Sequence, residues 1–130
     1  MQTTFRKLPA AWPLAIFLLF PALTHGEIAA QAWVNRYDGS GHGDDSAVAL
    51  AVDGSNNVIV AGFSLGSGSS YDCLTVKYSS AGVSLWTNRY NGPANSDDRA
   101  LAVAVDGSNN VIMAGWSAGS GSSADYVTIK

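Results

Sequence analysis

The chain has 130 residues, room for one small domain, with a formal net charge of −3 and charged residues at only 13% of positions. No cluster of Lys and Arg is available to neutralise phosphates, which excludes nucleic acid as a partner class. The single cysteine, Cys73, excludes an intrachain disulfide and reads as a small packing residue.

The first predicted element is a leader. Arg6 and Lys7 precede the apolar run Ala10–Leu23, which is interrupted by proline. That run is too short for a membrane span, which takes about 20 apolar residues. It fits the helix of a secretory signal peptide instead. Ala30-Gln31-Ala32 is an A-x-A cleavage signal and predicts cleavage before Trp33, with Gly26 and Ala30 as alternative cleavage points. The predicted division is therefore residues 1–32 as leader and 33–130 as the mature chain. The mature chain is expected outside the cell, at its surface or in the periplasm, with no stable membrane span.

After the leader everything comes twice. "AVDGSNNVIVAG" (Ala51–Gly62) returns as "AVDGSNNVIMAG" (Ala104–Gly115). Trp33-Val-Asn-Arg-Tyr37 returns as Trp86-Thr-Asn-Arg-Tyr90, and "GSGSS" at Gly66–Ser70 returns at Gly119–Ser123. The offset is 53 residues without a gap. About two thirds of aligned positions are identical, the mark of a duplicated structural unit. The two units span about 33–85 and 86–130. Repeated structural positions are Trp33 and Trp86, Asp45 and Asp98, Asp72 and Asp125, and Gly62 and Gly115.

Within a unit the periodicity is that of strands. A short outer strand is expected at 32–37. Ala47–Val52 alternates small Ala47, Ala49 and Ala51 against large Val48, Leu50 and Val52, and Ala100–Val105 keeps that division. Both faces are apolar, so both should be covered by neighbouring layers. "DGSNN" is a turn by composition. The predicted strands are 46–53, 58–64, 72–78, 83–90, 99–106, 111–117 and 125–130, all antiparallel, with helix only in the leader. Four short antiparallel strands per period describe a β-propeller blade, so the fold class is all-β with two blades of an incomplete propeller. A closed propeller has about 4–8 blades. Either the sequence is a piece of a longer protein, or a two-blade unit assembles from several chains with the outer strand completing a blade. The uncapped final strand favours the first. Two blades alone leave apolar faces open, so residues 33–130 are expected to aggregate or to assemble.

The pattern W-x-N-R-Y-x-G, then D-D-x-A-x-A-x-A-V-D-G-S-N-N-V-x-x-A-G, then D-x-x-x-x-K, resembles the bacterial β-propeller repeat proteins called SBBP-repeat proteins. The resemblance covers nearly all of the chain after the leader. It implies a secreted or surface-exposed propeller and implies no particular chemistry, because the family is defined by its blade.

Candidate chemistry is sparse. Asp53 and Asn57, with their copies Asp106 and Asn110, offer oxygen ligands in a tight loop, which makes them weak calcium candidates. The same residues make good hairpin turns, and the later bidentate carboxylate of a calcium loop is missing, so the turn reading is preferred. Asp44-Asp45 and Asp97-Asp98 point to opposite faces of a strand and are not dyads. One of each pair is expected to cap a loop and the other to bond Arg36, Arg89 or backbone amides. Asp72 and Asp125 should bond neighbouring amides. His42, whose counterpart is Asn95, has no Ser or Cys partner in the pattern. Trp33, Phe63, Trp86 and Trp116 should pack between blades, and an aromatic carbohydrate platform is the weaker reading. No catalytic residue, cofactor or metal is assigned. The expected function is a non-enzymatic scaffold or binding module for a protein or glycan, with further blades or self-association as partners. The alternative is a piece of a secreted glycan-active hydrolase or lyase whose catalytic residues lie in other blades.

Overall fold

The turn-rich, alternating sequence folds as seven strands in the computed structural model, which describes residues 30–130. The signal helix expected in the leader lies outside the described residues. The strands are β1 (Asp45–Val52), β2 (Val58–Leu65), β3 (Tyr71–Tyr78), β4 (Ser84–Tyr90), β5 (Asp98–Val105), β6 (Val111–Ala118) and β7 (Ala124–Ile129). Each boundary lies within one residue of its predicted position. No helix occurs among the described residues, and none there is long and apolar enough to cross a membrane.

The strands form two antiparallel sheets. Sheet 1 has the order β1-β2-β3-β4 and sheet 2 the order β5-β6-β7. Residues 31–130 form one unit in which β5 lies against β1, β2 and β3. One core fills this joint. It consists of Ala61 and Cys73 from sheet 1 and Ala100 and Met113 from sheet 2, flanked by Tyr90, Val103 and Ile129. Beside it Ile59 is fully buried, worth about 1.5–3 kcal/mol for an aliphatic side chain. A second cluster, Leu74, Val76 and Tyr78, lies on the other face of sheet 1 and is flanked by Trp33, Tyr37 and Val60.

The expected split of alanines on one face and large aliphatics on the other is corrected by a bulge. Ala47 pairs with Gly62 but Ala49 pairs with Ala61, so the register slips by one residue between them. Adjacent residues of β2 face opposite ways, so Ala47 shares the outer face with Leu50 and Val52, while Ala49 and Ala51 face sheet 2. The slip recurs between Ala100 and Ala102. There it turns Ala100 and Val103 together into the joint. The glycine opposite each bulge is a steric necessity. A Cβ on Gly62 would stand 1.8 Å from the carbonyl oxygen of Ser46, and one on Gly115 would stand 2.0 Å from that of Arg99.

The outer strand expected at 32–37 is also corrected, since that segment belongs to no strand. Side chains hold it instead. The Trp33 indole N–H donates to the Ser80 carbonyl at 3.1 Å, and the Asn35 amide donates to the Gly82 carbonyl at 2.6 Å. Trp33 lies against Tyr78 with ring centroids 5.9 Å apart. On sheet 1, Trp33 and Tyr37 thus take the position that Tyr90 of β4 takes on sheet 2. The 53-residue repeat is a repeat of stacking as well as of sequence.

Candidate functional site

The polar residues gather in three places: the DGSNN turns and a cluster at the opposite end of each sheet, both present once per repeat, and the single seam between the sheets.

In the first turn Asp53 Oδ1 accepts from the Ser55 and Asn57 amides at 2.8 and 2.9 Å, and Oδ2 accepts from the Asn57 side chain at 2.9 Å. Asn56 adopts φ 60°, a left-handed conformation that asparagine tolerates and closes the hairpin. Lys77 then places its ammonium 2.7 Å from Asp53 Oδ2. This ion pair, with the turn hydrogen bonds, holds the Asp53 carboxyl well below the usual carboxylate range. The second turn repeats the arrangement, with Asp106 beside Lys130 at 2.8 Å and its carboxyl likewise lowered. The carboxylates offered as calcium ligands at Asp53 and Asp106, with Asn57 and Asn110, are thus occupied by a lysine and by turn amides. Among the described residues no three acidic, His or Cys side chains converge as a metal set. The two turns also touch, because the Gly54 amide donates to Asn109 Oδ1 at 2.9 Å.

At the opposite end of sheet 1, Arg89 ties a cluster together. Its Nη1 donates to the Ser64 carbonyl at 3.0 Å and to Asp72 Oδ2 at 2.9 Å, and its Nη2 donates to Ser64 Oγ at 2.6 Å. Burial works against its charge, but the Asp72 carboxylate and the Tyr37 hydroxyl outweigh it and raise its pKa. Asp45 accepts the Gly39 amide at 2.9 Å. In sheet 2, Asp98 is fully buried and accepts the Gly92 amide at 2.6 Å. Asp45 and Asp98 therefore bond backbone amides, one of the roles expected of them. Asp72 and Asp125 depart from expectation. Their Oδ2 atoms accept side-chain hydroxyls, from Ser69 at 2.9 Å and from Ser122 at 2.7 Å, because the serine of each Gly/Ser loop folds back three residues.

The seam is fastened in part by residues that the repeat does not duplicate, Arg99, Asn95 and Tyr71. Arg99, whose counterpart is Ser46, places its guanidinium 4.4 Å from the Phe63 ring centre, 4.9 Å from Tyr71 and 5.9 Å from Trp116. It also meets Asp97 at 3.3 Å. Ser70 Oγ donates to Asp97, the first cause of that carboxyl's lowered pKa, and Asn95 donates to the Gly68 carbonyl at 3.0 Å. Phe63 thus faces sheet 2 as expected, whereas Trp116 stands opposite Tyr126, on the face of β6 away from Met113, and so points away from sheet 1 and meets the seam only through Arg99. Trp86 instead stands 38% exposed in an open groove of about 670 Å³ between β3–β4 and β6–β7, beside Lys77, Asn88 and Lys130.

Among the described residues neither His42 nor Cys73 is placed as a nucleophile–base pair. His42 pairs with Asp38 at 3.0 Å on the surface. Cys73 is buried in the joint, and burial pushes its thiol up to about 12. The sequence reading missed Ser64, Ser117, Gly39 and Gly92. Their signal was present: each pair is identical in both copies, and serine sits in otherwise apolar strands. No family model matches the chain, and no curated protein sequence matches it at a significant level.

Proposed function

We propose that the chain is a pair of β-propeller blades of the SBBP-repeat kind, exported from a bacterial cell and acting as a non-enzymatic scaffold or binding module for a protein or glycan. The observation that carries this reading is the use of the polar side chains. The turn carboxylates, with Asp45 and Asp98 at the sheet ends, are consumed in contacts that hold one sheet or turn together and that recur in the next copy. Catalytic groups are normally used once per fold and are left able to reach a substrate. The groove beside Trp86 is the surface this reading assigns to a ligand. It is an aromatic face flanked by Lys77 and Lys130, and its amide and ammonium donors suit hydroxyl-rich or anionic partners.

The test combines fractionation with turnover. The expressed chain should leave the cytoplasm with its N-terminus at Trp33, Gln31 or Glu27, and retention with Met1 intact would overturn the leader. The exported chain should bind at least one polysaccharide, with binding weakened by Trp86→Ala, and should release no reducing ends or unsaturated products. Measurable turnover would favour a glycan-active enzyme instead.

A further inference from the structure

The loops that lead into the two sheets are built alike and differ in one exchange. Asp38-Gly39 precedes β1, and its copy Asn91-Gly92 precedes β5. In each loop the glycine is buried, and its amide donates to the carboxylate that opens the following strand: Gly39 to Asp45 at 2.9 Å, Gly92 to Asp98 at 2.6 Å. The residue before the glycine is exposed in both. Its side chain meets the residue four positions on, Asp38 with His42 at 3.0 Å and Asn91 with Asn95 at 2.6 Å.

Asn91 is the only asparagine of the chain that is followed by glycine. That order matters chemically, because glycine has no side chain to keep its nitrogen from the asparagine Cγ. The Gly92 nitrogen loses its proton and bonds to Cγ, the bond from Cγ to the side-chain nitrogen breaks, and ammonia leaves with the proton. Water then opens the cyclic imide, at the Cγ carbonyl to leave aspartate or at the backbone carbonyl to leave the isomer whose chain runs through the side chain. Water is the only co-reactant. We propose that Asn91 is a site of this amide-to-acid conversion, with the Gly92–Asp98 hydrogen bond as its catch and the seam between the sheets as what it loosens.

The attacking nitrogen is the one that Asp98 holds. Asp98 is fully buried and its Oδ1 has no hydrogen-bond partner, so freeing the Gly92 N–H from Oδ2 would strip a buried carboxylate further, which is costly. Asp45 Oδ1 is likewise without a partner in the first copy, so this arrangement belongs to the loop itself. The nitrogen also has little room to swing: a Cβ on Gly92 would stand 2.1 Å from Ser117 Oγ and 2.6 Å from Asp98 Oδ1. Conversion therefore waits on opening of the loop.

The product fits the fold, because the first copy carries aspartate at this position above the same glycine-to-carboxylate bond. Its neighbour does not fit. Asp38 faces the ring nitrogen of His42, which can donate to it, whereas Asn91 donates its own amide to Asn95 Oδ1. An aspartate at position 91 sets two acceptors against each other. Asn95 must then turn its amide group to the new carboxylate, and that group is the one that bonds the Gly68 carbonyl across the seam at 3.0 Å. The seam loses a fastening while both ladders stay paired.

Peptide mapping by mass spectrometry tests the site on the full chain, aged folded and aged in denaturant. Conversion at Asn91 should outrun that at every other asparagine in both, and should be about tenfold or more slower in the folded chain. No preference for Asn91 would overturn the site, and equal rates would overturn the catch without any variant. Asp98→Asn keeps an acceptor but removes its charge, so folded-state conversion should rise about fivefold. Slower conversion would make Asp98 the base that takes the proton and would also overturn the catch. Asn91→Asp should keep the far-ultraviolet dichroism of the wild type and let Cys73 react with a thiol reagent about two- to tenfold faster, the loss of one neutral hydrogen bond. Unchanged reactivity would overturn the link to the seam. None of these readouts depends on a glycan, on export or on the number of blades.

Discussion

Ser64 and Ser117 hold the same register position in two sheets of nearly the same sequence, and their surroundings differ by one guanidinium. Around Ser64, Arg89 joins the hydroxyl, the strand carbonyl and Asp72, whose side chain is only 3% exposed. Around Ser117 the carboxylate of Asp125 is open to solvent and the hydroxyl has no partner. A strand at the sheet edge therefore does more than complete a ladder. It delivers the charge that compensates the burial of Asp72, since an unpaired buried carboxylate is costly.

The largest effect should follow from removing that charge. Arg89→Ala leaves Asp72 buried and unpaired and should destabilise the fold by about 3–5 kcal/mol in a denaturant titration. Asp125→Ala, at the matching position of sheet 2, should stay within about 0.5 kcal/mol in the monomer. Equal losses at both positions would break the comparison. Next come the bulge glycines. Gly62→Ala and Gly115→Ala each drive a methyl into a facing carbonyl and should cost about 1–3 kcal/mol or more, alike in both sheets. A much smaller loss in sheet 2 would mean that its bulge relaxes for want of a fourth strand.

How far the sequence disclosed these differences depends on what each rests on. Strand positions follow from alternation and from DGSNN turns, both local properties, and they were legible to within a residue. The bulges were not, because an inserted residue leaves A-V-A-L-A-V looking like perfect alternation. Only the pairing of Ala47 with Gly62 reveals it. The repeat disclosed which polar residues are structural, but not their partners. Arg89 reaches Asp72 across two adjacent strands, and nothing local to either residue says so. The segment 32–37 reads as a strand by composition, since it copies β4, yet a strand requires a neighbour to bond and here tryptophan and tyrosine packing holds it instead.

The turns give a finer contrast. Asp53 is 1% exposed at its side chain and Asp106 is 27% exposed, though both face a lysine. Asp53→Asn should therefore lower the melting temperature more than Asp106→Asn. Both carboxyls titrate below their unfolded value near 4. Their contribution is thus complete above that pH and is lost as the pH falls through the folded values, so stability should be level from about pH 5 to 7 and decline below about 4. A decline already evident at pH 6 would point to a different group. Millimolar calcium should move the melting temperature little, because a calcium ion would have to displace Lys77 and Lys130. A rise of many degrees, reversed by chelator, would show that the ion outcompetes the lysines.

The smallest perturbation probes the joint itself. Cys73 faces sheet 2 and touches the same core as Ala100 and Met113, so its thiol is reached only when the sheets part. Burial raises that thiol to about 12, well above an ordinary cysteine, which leaves almost no thiolate at pH 8. Modification by a thiol reagent should therefore be slow in the native protein and fast in denaturant. Opening of the joint need not unfold either sheet, because each keeps its own ladder. If opening is local, the labelling rate will exceed that set by global unfolding, and Arg99→Ala, which unfastens the stacked seam, will raise it while leaving strand content unchanged. If labelling instead tracks global unfolding in both proteins, the two sheets melt as one, and the seam contributes no separate barrier.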